Sequence, residues 1–153
     1  GNSSGIVDGA AAALVASGAY MQNRRKDHKK EPLARVVAGA VIGVPPEIMG
    51  IAPVPAIQSL LELAGLMLSQ IDRVEINEAF GAQVLACQRE LGLNSSKLNV
   101  NGGAIAIGHP LAATGIRLAV TVARELKQSG THYGVASACI GGGQGIALLV
   151  ENL

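Results

Sequence analysis

The chain of 153 residues is of single-domain size, and its balance of 49% hydrophobic to 15% charged residues excludes a disordered chain. A net charge of +1, with one Phe, two Tyr and no Trp, excludes general nucleic-acid binding, which needs basic surface interleaved with stacking aromatics. No apolar run approaches the about 20 residues that span a bilayer, no signal-peptide pattern is present, and two cysteines (Cys87 and Cys139) suit a reducing compartment better than a disulfide framework.

The opening "GNSSGIVDGA" has no Met and no linker and reads like the middle of a sequence, so the chain is expected to be part of a longer polypeptide. "DGAAAALVAS", residues 8–17, fits either a helix, by its alanines, or a short buried strand, by its apolar run. Residues 19–30 are polar and basic and predict a surface helix, with Arg24, Arg25, Lys26, Lys29 and Lys30 as its solvated end. Residues 32–45, rich in Val and Ile and bounded by prolines, predict a strand.

In residues 53–69, Val54, Ile57, Leu61, Ala64 and Leu68 recur at spacings of three and four, the stripe of an amphipathic helix with prolines in its first turn. "DRVEIN", residues 72–77, predicts a short buried strand, and Phe80, Val84, Cys87 and Leu91 mark another helix. The glycine-rich "NVNGGAIAIGHP", residues 99–110, has no clear period. It leads into a long helix ending near Ser129, with Ile116, Ala119, Val120, Ala123 and Leu126 on one face and Gly130 as the stop signal. Two apolar runs, "HYGVASAC" and "QGIALLVE", are separated only by "IGGG", which predicts an antiparallel hairpin. Alternating strands and helices closed by a hairpin point to an α/β layered domain with a mixed sheet.

Three loops carry the chemically capable side chains: Asn77 and Glu78 in "NEAF", His109 in "GHP", and Cys139 in "CIGGG". Open α/β sheets place their sites where strands end, so an amide, an imidazole and a thiol can converge there. Each residue also has a plain reading. Asn77 can cap the following helix, His109 can be a loop histidine bonded to backbone, and Cys139 can be an inert buried thiol. Neither cysteine lies at structural zinc spacing, and the glycine loop lacks the Lys-Ser/Thr ending of a phosphate-binding P-loop.

Taken together, "GNSSGIVDGAAAALVAS", "MGIAPVPAI", "INEAFGAQ", "NVNGGAIAIGHPLAATG" and "CIGGGQGIALLVE" resemble, in order and over essentially the whole chain, the C-terminal half of a thiolase. That family makes or cleaves 3-ketoacyl-CoA by Claisen chemistry. The resemblance implies a β-α-β-α-β-α-β-β domain with a five-stranded mixed sheet, helices on both faces, and residues 8–17 as its first strand. It implies an N-terminal half, outside this chain, that carries the acylated cysteine and packs against this one. By position, Cys139 matches the family's acid/base cysteine, His109 the histidine that activates the nucleophile and faces the thioester oxygen, and Asn77 the residue that holds a water in that oxyanion hole. Gly141 matches the glycine whose N–H serves a second oxyanion hole. Ser4 resembles a contact to the pantetheine arm, and Met49 and Phe80 resemble lining near the acyl group. Glu78 reads as structural and Cys87 as packing.

The resemblance further implies coenzyme A and acyl-CoA as substrates with no covalently bound cofactor, and a homodimer or homotetramer. The expected location is the bacterial cytoplasm, or the mitochondrial or peroxisomal matrix in a eukaryote. Ala52, Ala112 and Val7 depart from the commoner family pattern, and the first two are expected to reshape the acyl site. Ketoacyl-ACP synthases share the fold but lack a "CxGGGQG" cysteine. The alternative to an enzyme is a separately expressed half that serves assembly or acyl-CoA binding.

Overall fold

Gly142 and Gly143, both at φ near +85°, let the chain reverse after Ile140 within a turn that few other residues tolerate. The reversal pairs β3 (Tyr133–Ile140) with β4 (Gln144–Glu151) as the expected antiparallel hairpin. The coordinates are a computed structural model describing residues 1–24 and 31–153. β4 also pairs antiparallel with β1 (Arg35–Gly43), and β3 pairs parallel with β2 (Arg73–Ile76). The sheet of the described residues is therefore four-stranded, in the order β1-β4-β3-β2.

Strand alternation splits the core in two. Val135, Ala147 and Leu149 point to one face, where α2 (Pro53–Ala64) lays down Val54, Ile57, Leu60 and Leu61, and α3 (Gly81–Leu91) adds Val84 and Cys87. The intervening Ala136 and Val150 point to the other face, under Leu118, Val122 and Leu126 of α5 (Leu111–Ser129). Helices thus cover both faces, as the period-2 and period-3.6 patterns require. Two short helices complete the chain order: α1 (Gly18–Arg24) and α4 (Ala104–Ile107). The basic residues 25–30 lie outside the described residues.

Three expectations are corrected. Residues 8–17 form no strand, and Leu14 and Val15 are 95% and 81% exposed, so the fifth strand is missing from the described sheet. A run of alanines has little side chain to seal against a sheet. The stretch before and into it is instead held along α5, with the carbonyl of Gly5 accepting the N–H of His109 and Gly9 against the ring of Pro110. The outer edge of β2 is meanwhile occupied by a bridge from Val74 to Leu98.

The second correction concerns α5: Ala123 and Leu126 are buried as expected, but Leu118 and Val122 share that face, while Ile116 is 37% exposed and Ala119 and Val120 only half-buried. The helix has two neighbouring apolar stripes that share Leu126, and the one carrying Leu118 and Val122 takes the core. Third, α2 stops at Ala64 because Gly65 adopts a left-handed C-cap, so Leu68 packs from a separate turn of 3-10 helix.

The α2 core is expected to dominate stability. Leu60→Ala, at a fully buried position, should cost about 2–5 kcal/mol of unfolding free energy, whereas Leu63→Ala, 69% exposed on the same helix, should change it by less than about 0.5 kcal/mol. Denaturant midpoints of the two variants check this.

Candidate active site

β2 and β3 run parallel, with Ile76 opposite Ser137, and the backbone N–H of Asn77 extends the ladder by donating to the carbonyl of Ser137 at 2.9 Å. Asn77 and Cys139 therefore leave the carboxyl ends of neighbouring parallel strands, the place where open α/β sheets bind ligands. α5 packs on both strands and leads straight into β3, so it runs antiparallel to them. Its N-terminus, with His109 just ahead of it, lies at the same end of the sheet. No hydrogen bond among the described residues joins the three side chains to one another.

Asn77 is 1% exposed, and neither Oδ1 nor Nδ2 has a hydrogen-bond partner. It does not cap α3, whose N-cap is Phe80. A buried amide left unpaired costs about 1–3 kcal/mol, so its retention favours a binding role over a structural one.

His109 is half-buried; its backbone N–H donates to the carbonyl of Gly5 at 2.8 Å, and its Nδ1 lies 2.6 Å from Thr114 Oγ1. Burial, followed by the nearby Arg117 guanidinium, lowers its pKa below the usual imidazole value, which keeps it neutral at physiological pH. Gly108, at φ +90° with the side chain of Val7 pressed on it, sets the approach to this histidine.

Cys139 is a half-buried free thiol whose pKa burial pushes up, so it is protonated at neutral pH. Gly141 is exposed, and an added Cβ would meet nothing within 4 Å, so packing within this chain does not demand glycine there. Cys87 is fully buried, its pKa pushed up to about 11 by burial, and its thiol faces the carbonyl of Gly50. That is packing, as its place on the apolar stripe implies.

The outlying candidates are more dispersed. Ser4 gives both its N–H and its hydroxyl to the carbonyl of Ala79, which ties the N-terminal stretch to the loop after Asn77. Phe80 is 53% exposed beside that stretch. Met49 sits half-buried in the 3-10 turn Pro46–Ile51, which packs on the hairpin strands. Ala52 is fully buried against Gly145, so this departure from the family pattern acts on hairpin packing, while Ala112 is exposed.

Four supporting residues escape sequence reasoning. Asn99, the one described non-glycine residue with positive φ, accepts the Ile76 N–H at 2.8 Å and donates to the Ile76 carbonyl at 2.9 Å. Its side chain thus imitates a neighbouring strand immediately before Asn77. Its only signal is the Asn-x-Asn-Gly-Gly context, since asparagine tolerates the left-handed region. Thr114 and the pair Glu75–Arg117 carry no sequence signal beyond being polar in apolar surroundings. Glu78 braces the following loop: its Oε2 accepts the Ile105 N–H at 2.9 Å, and a Cβ at Gly103 would fall 2.6 Å from its carboxyl carbon.

Comparison with known proteins points to one family. Residues 30–152 match the family described as "Thiolase, C-terminal domain". The chain is 53% identical over 152 residues to the mitochondrial 3-ketoacyl-CoA thiolase of Bos taurus, covering 99% of this chain and 37% of that protein. It is 50% identical to the acetyl-CoA acetyltransferase of Escherichia coli (strain K12), covering all of this chain and 38% of that one. The crystal structure of human mitochondrial 3-ketoacyl-CoA thiolase in complex with CoA superposes with a TM-score of 0.94 at 51% identity, covering 100% of this chain and 38% of that chain. The chain thus spans little more than a third of the length of the relatives it matches.

Beneath the site, Glu75 is 2% exposed and 3.8 Å from Arg117, too far for a hydrogen bond. Burial, only partly offset by Arg117, raises its pKa from 4.5 to about 7. Between those values the folded state binds more protons than the unfolded one, so stability should fall as pH rises through that window. Glu75→Gln should flatten this slope in denaturation curves taken across the same range.

Proposed function

This chain belongs to the thiolase family, and from that premise we propose that in the complete protein it supplies the acid/base and oxyanion-binding half of a CoA-dependent acyl transfer. The reaction is thiolytic cleavage of 3-ketoacyl-CoA or its reverse, the Claisen condensation of acetyl-CoA. The observation that carries this reading is the set Asn77, His109 and Cys139 at one end of the parallel strands: an unpaired buried amide, a neutral imidazole and a protonated thiol.

Neither cysteine here suits the acyl-accepting role. Cys87 is sealed in the core, and Cys139 is needed for proton transfer. The nucleophile is assigned to an N-terminal half beyond this chain, whose thiol gives its proton to His109. The thioester left on that cysteine then waits for a carbon nucleophile. In condensation, Cys139 protonates the CoA thiolate that departs on acylation. Its own thiolate then takes the α-proton of a second acetyl-CoA. The enolate oxygen that forms needs fixed donors: the imidazolium N–H of His109 and, beside it, the amide of Asn77 acting directly or through a water. The enolate carbon attacks the acyl group, and the tetrahedral oxygen falls to the N–H of Gly141 and that of the nucleophile. Thiolysis runs the same steps backward, with the raised pKa of Cys139 making it the ready acid for the departing carbanion.

Ser4, Met49 and Phe80 are assigned to the CoA arm and acyl group, and the complete enzyme to a homodimer or homotetramer. Acyl-CoA and CoA act as substrates, without a covalently bound cofactor.

Two outcomes test the reading. The complete protein carrying Cys139→Ser should lose about 10²–10⁴-fold in acetoacetyl-CoA thiolysis, and the present chain alone should show none. Thiolysis near the wild-type rate in the variant would refute the acid/base role. Turnover by the chain alone would refute the external nucleophile.

A further inference from the structure

We propose that Thr114 is a positioning residue that holds His109 in a single tautomer, with the proton on Nδ1 and the lone pair on Nε2. The proposal rests on the reading of His109 as the group that takes a proton from the nucleophilic thiol. Thr114 Oγ1 lies 3.1 Å from the carbonyl oxygen of Pro110, four residues earlier, and 2.6 Å from His109 Nδ1. A carbonyl oxygen only accepts, and a threonine hydroxyl in a helix habitually donates to the carbonyl four residues earlier, which is the geometry Thr114 has with Pro110. With its hydrogen directed there, the hydroxyl presents a lone pair to the ring, and Nδ1 is the donor in the proposed arrangement.

Neutral imidazole carries one N–H, so Nε2 is left as the acceptor. Thr114 is 2% exposed, so its hydroxyl is shielded from competing water. The same Pro110 carbonyl accepts the N–H groups of Ala113 and Thr114, so the hydroxyl belongs to the first turn of α5 and shares its rigidity.

The charged groups around the ring make the tautomer matter. Arg117, on the same helix, opposes a second positive charge on His109, and Glu75 of β2 faces Arg117 from below. The resting ring is therefore neutral, and only one of its two tautomers can accept a proton at Nε2. With Nδ1–H held by Thr114, the thiol proton goes to Nε2, a thiolate and an imidazolium form together, and the new Nε2–H is the donor the enolate oxygen later needs. Thr114 touches neither substrate nor reacting atom; it acts through His109.

The test uses the complete protein with ¹⁵N-labelled histidine, the His109 signal being assigned by its loss in His109→Asn. Wild type and Thr114→Ser should both show a protonated Nδ1 and an unprotonated Nε2, with kcat within about threefold of each other. Thr114→Val, close in volume but without the hydroxyl, should shift the ring toward Nε2–H and lower kcat by about 10–100-fold with KM little changed. Its acidic rate limb should also move to lower pH, because the imidazolium loses an acceptor. An unchanged ¹⁵N pattern in Thr114→Val would overturn the proposal, as would equal losses in the Val and Ser variants. Wild-type rates in His109→Asn would instead overturn the reading of His109 beneath it. The two failures stay distinct because the nitrogen shifts report the tautomer whatever the rate.

Discussion

Parallel pairing between β2 and β3 is the constraint on which the rest of the molecule depends. Two parallel neighbours cannot be joined by a tight turn, so the chain must leave Ile76 at one end of the sheet and return to Tyr133 at the other. α5 makes that return and so brings its first turn, with His109 before it, to the end where β2 stops at Asn77 and β3 stops beside Cys139. The hairpin adds a second consequence. Because β4 turns back immediately, the glycine turn is fixed at that same end, with Gly143 pressed against the carbonyl of Val44 and Gly145 against that of Ala52. One topological requirement thus assembles residues far apart in sequence.

Holding that end in place is expensive in polar groups. Asn99 pairs with both backbone groups of Ile76, Glu78 secures the loop that leads to His109, and Thr114 anchors the imidazole. Alongside these satisfied groups stand the Asn77 amide, with no partner among the described residues, and Glu75, 3.8 Å from Arg117 without a hydrogen bond to it. Supporting residues are bonded to this chain's own backbone or to the imidazole of His109, whereas the Asn77 amide makes no hydrogen bond among the described residues. Polar groups buried at such cost are the signature of a site that trades stability for reactivity.

Much of this is legible from residue order. The hairpin is legible because "IGGG" leaves no room for a crossover, and α2 because Val54, Ile57 and Leu61 keep helical spacing. The three candidate residues stand out as lone polar groups at the ends of apolar runs. Residues 8–17 are not legible, since consecutive alanines carry almost no periodic information and the segment finds no partner strand among the described residues. The core face of α5 is not legible either, because Ile116 with Val120 and Leu118 with Val122 make adjacent apolar stripes, and only packing against Ala136 and Val150 chooses between them. Thr114 and Asn99 look like ordinary helix and loop residues until tertiary structure places them beside His109 and Ile76.

The central claim is that this end of the sheet performs proton transfer at carbon, with the acyl group carried elsewhere. Solvent deuterium entering the α-position of acetyl-CoA measures that step alone. In D₂O, the complete protein with Cys139→Ser, once acylated, should incorporate deuterium into acetyl-CoA at least about 10²-fold more slowly than acylated wild type. Deuterium incorporation at the wild-type rate would contradict the account.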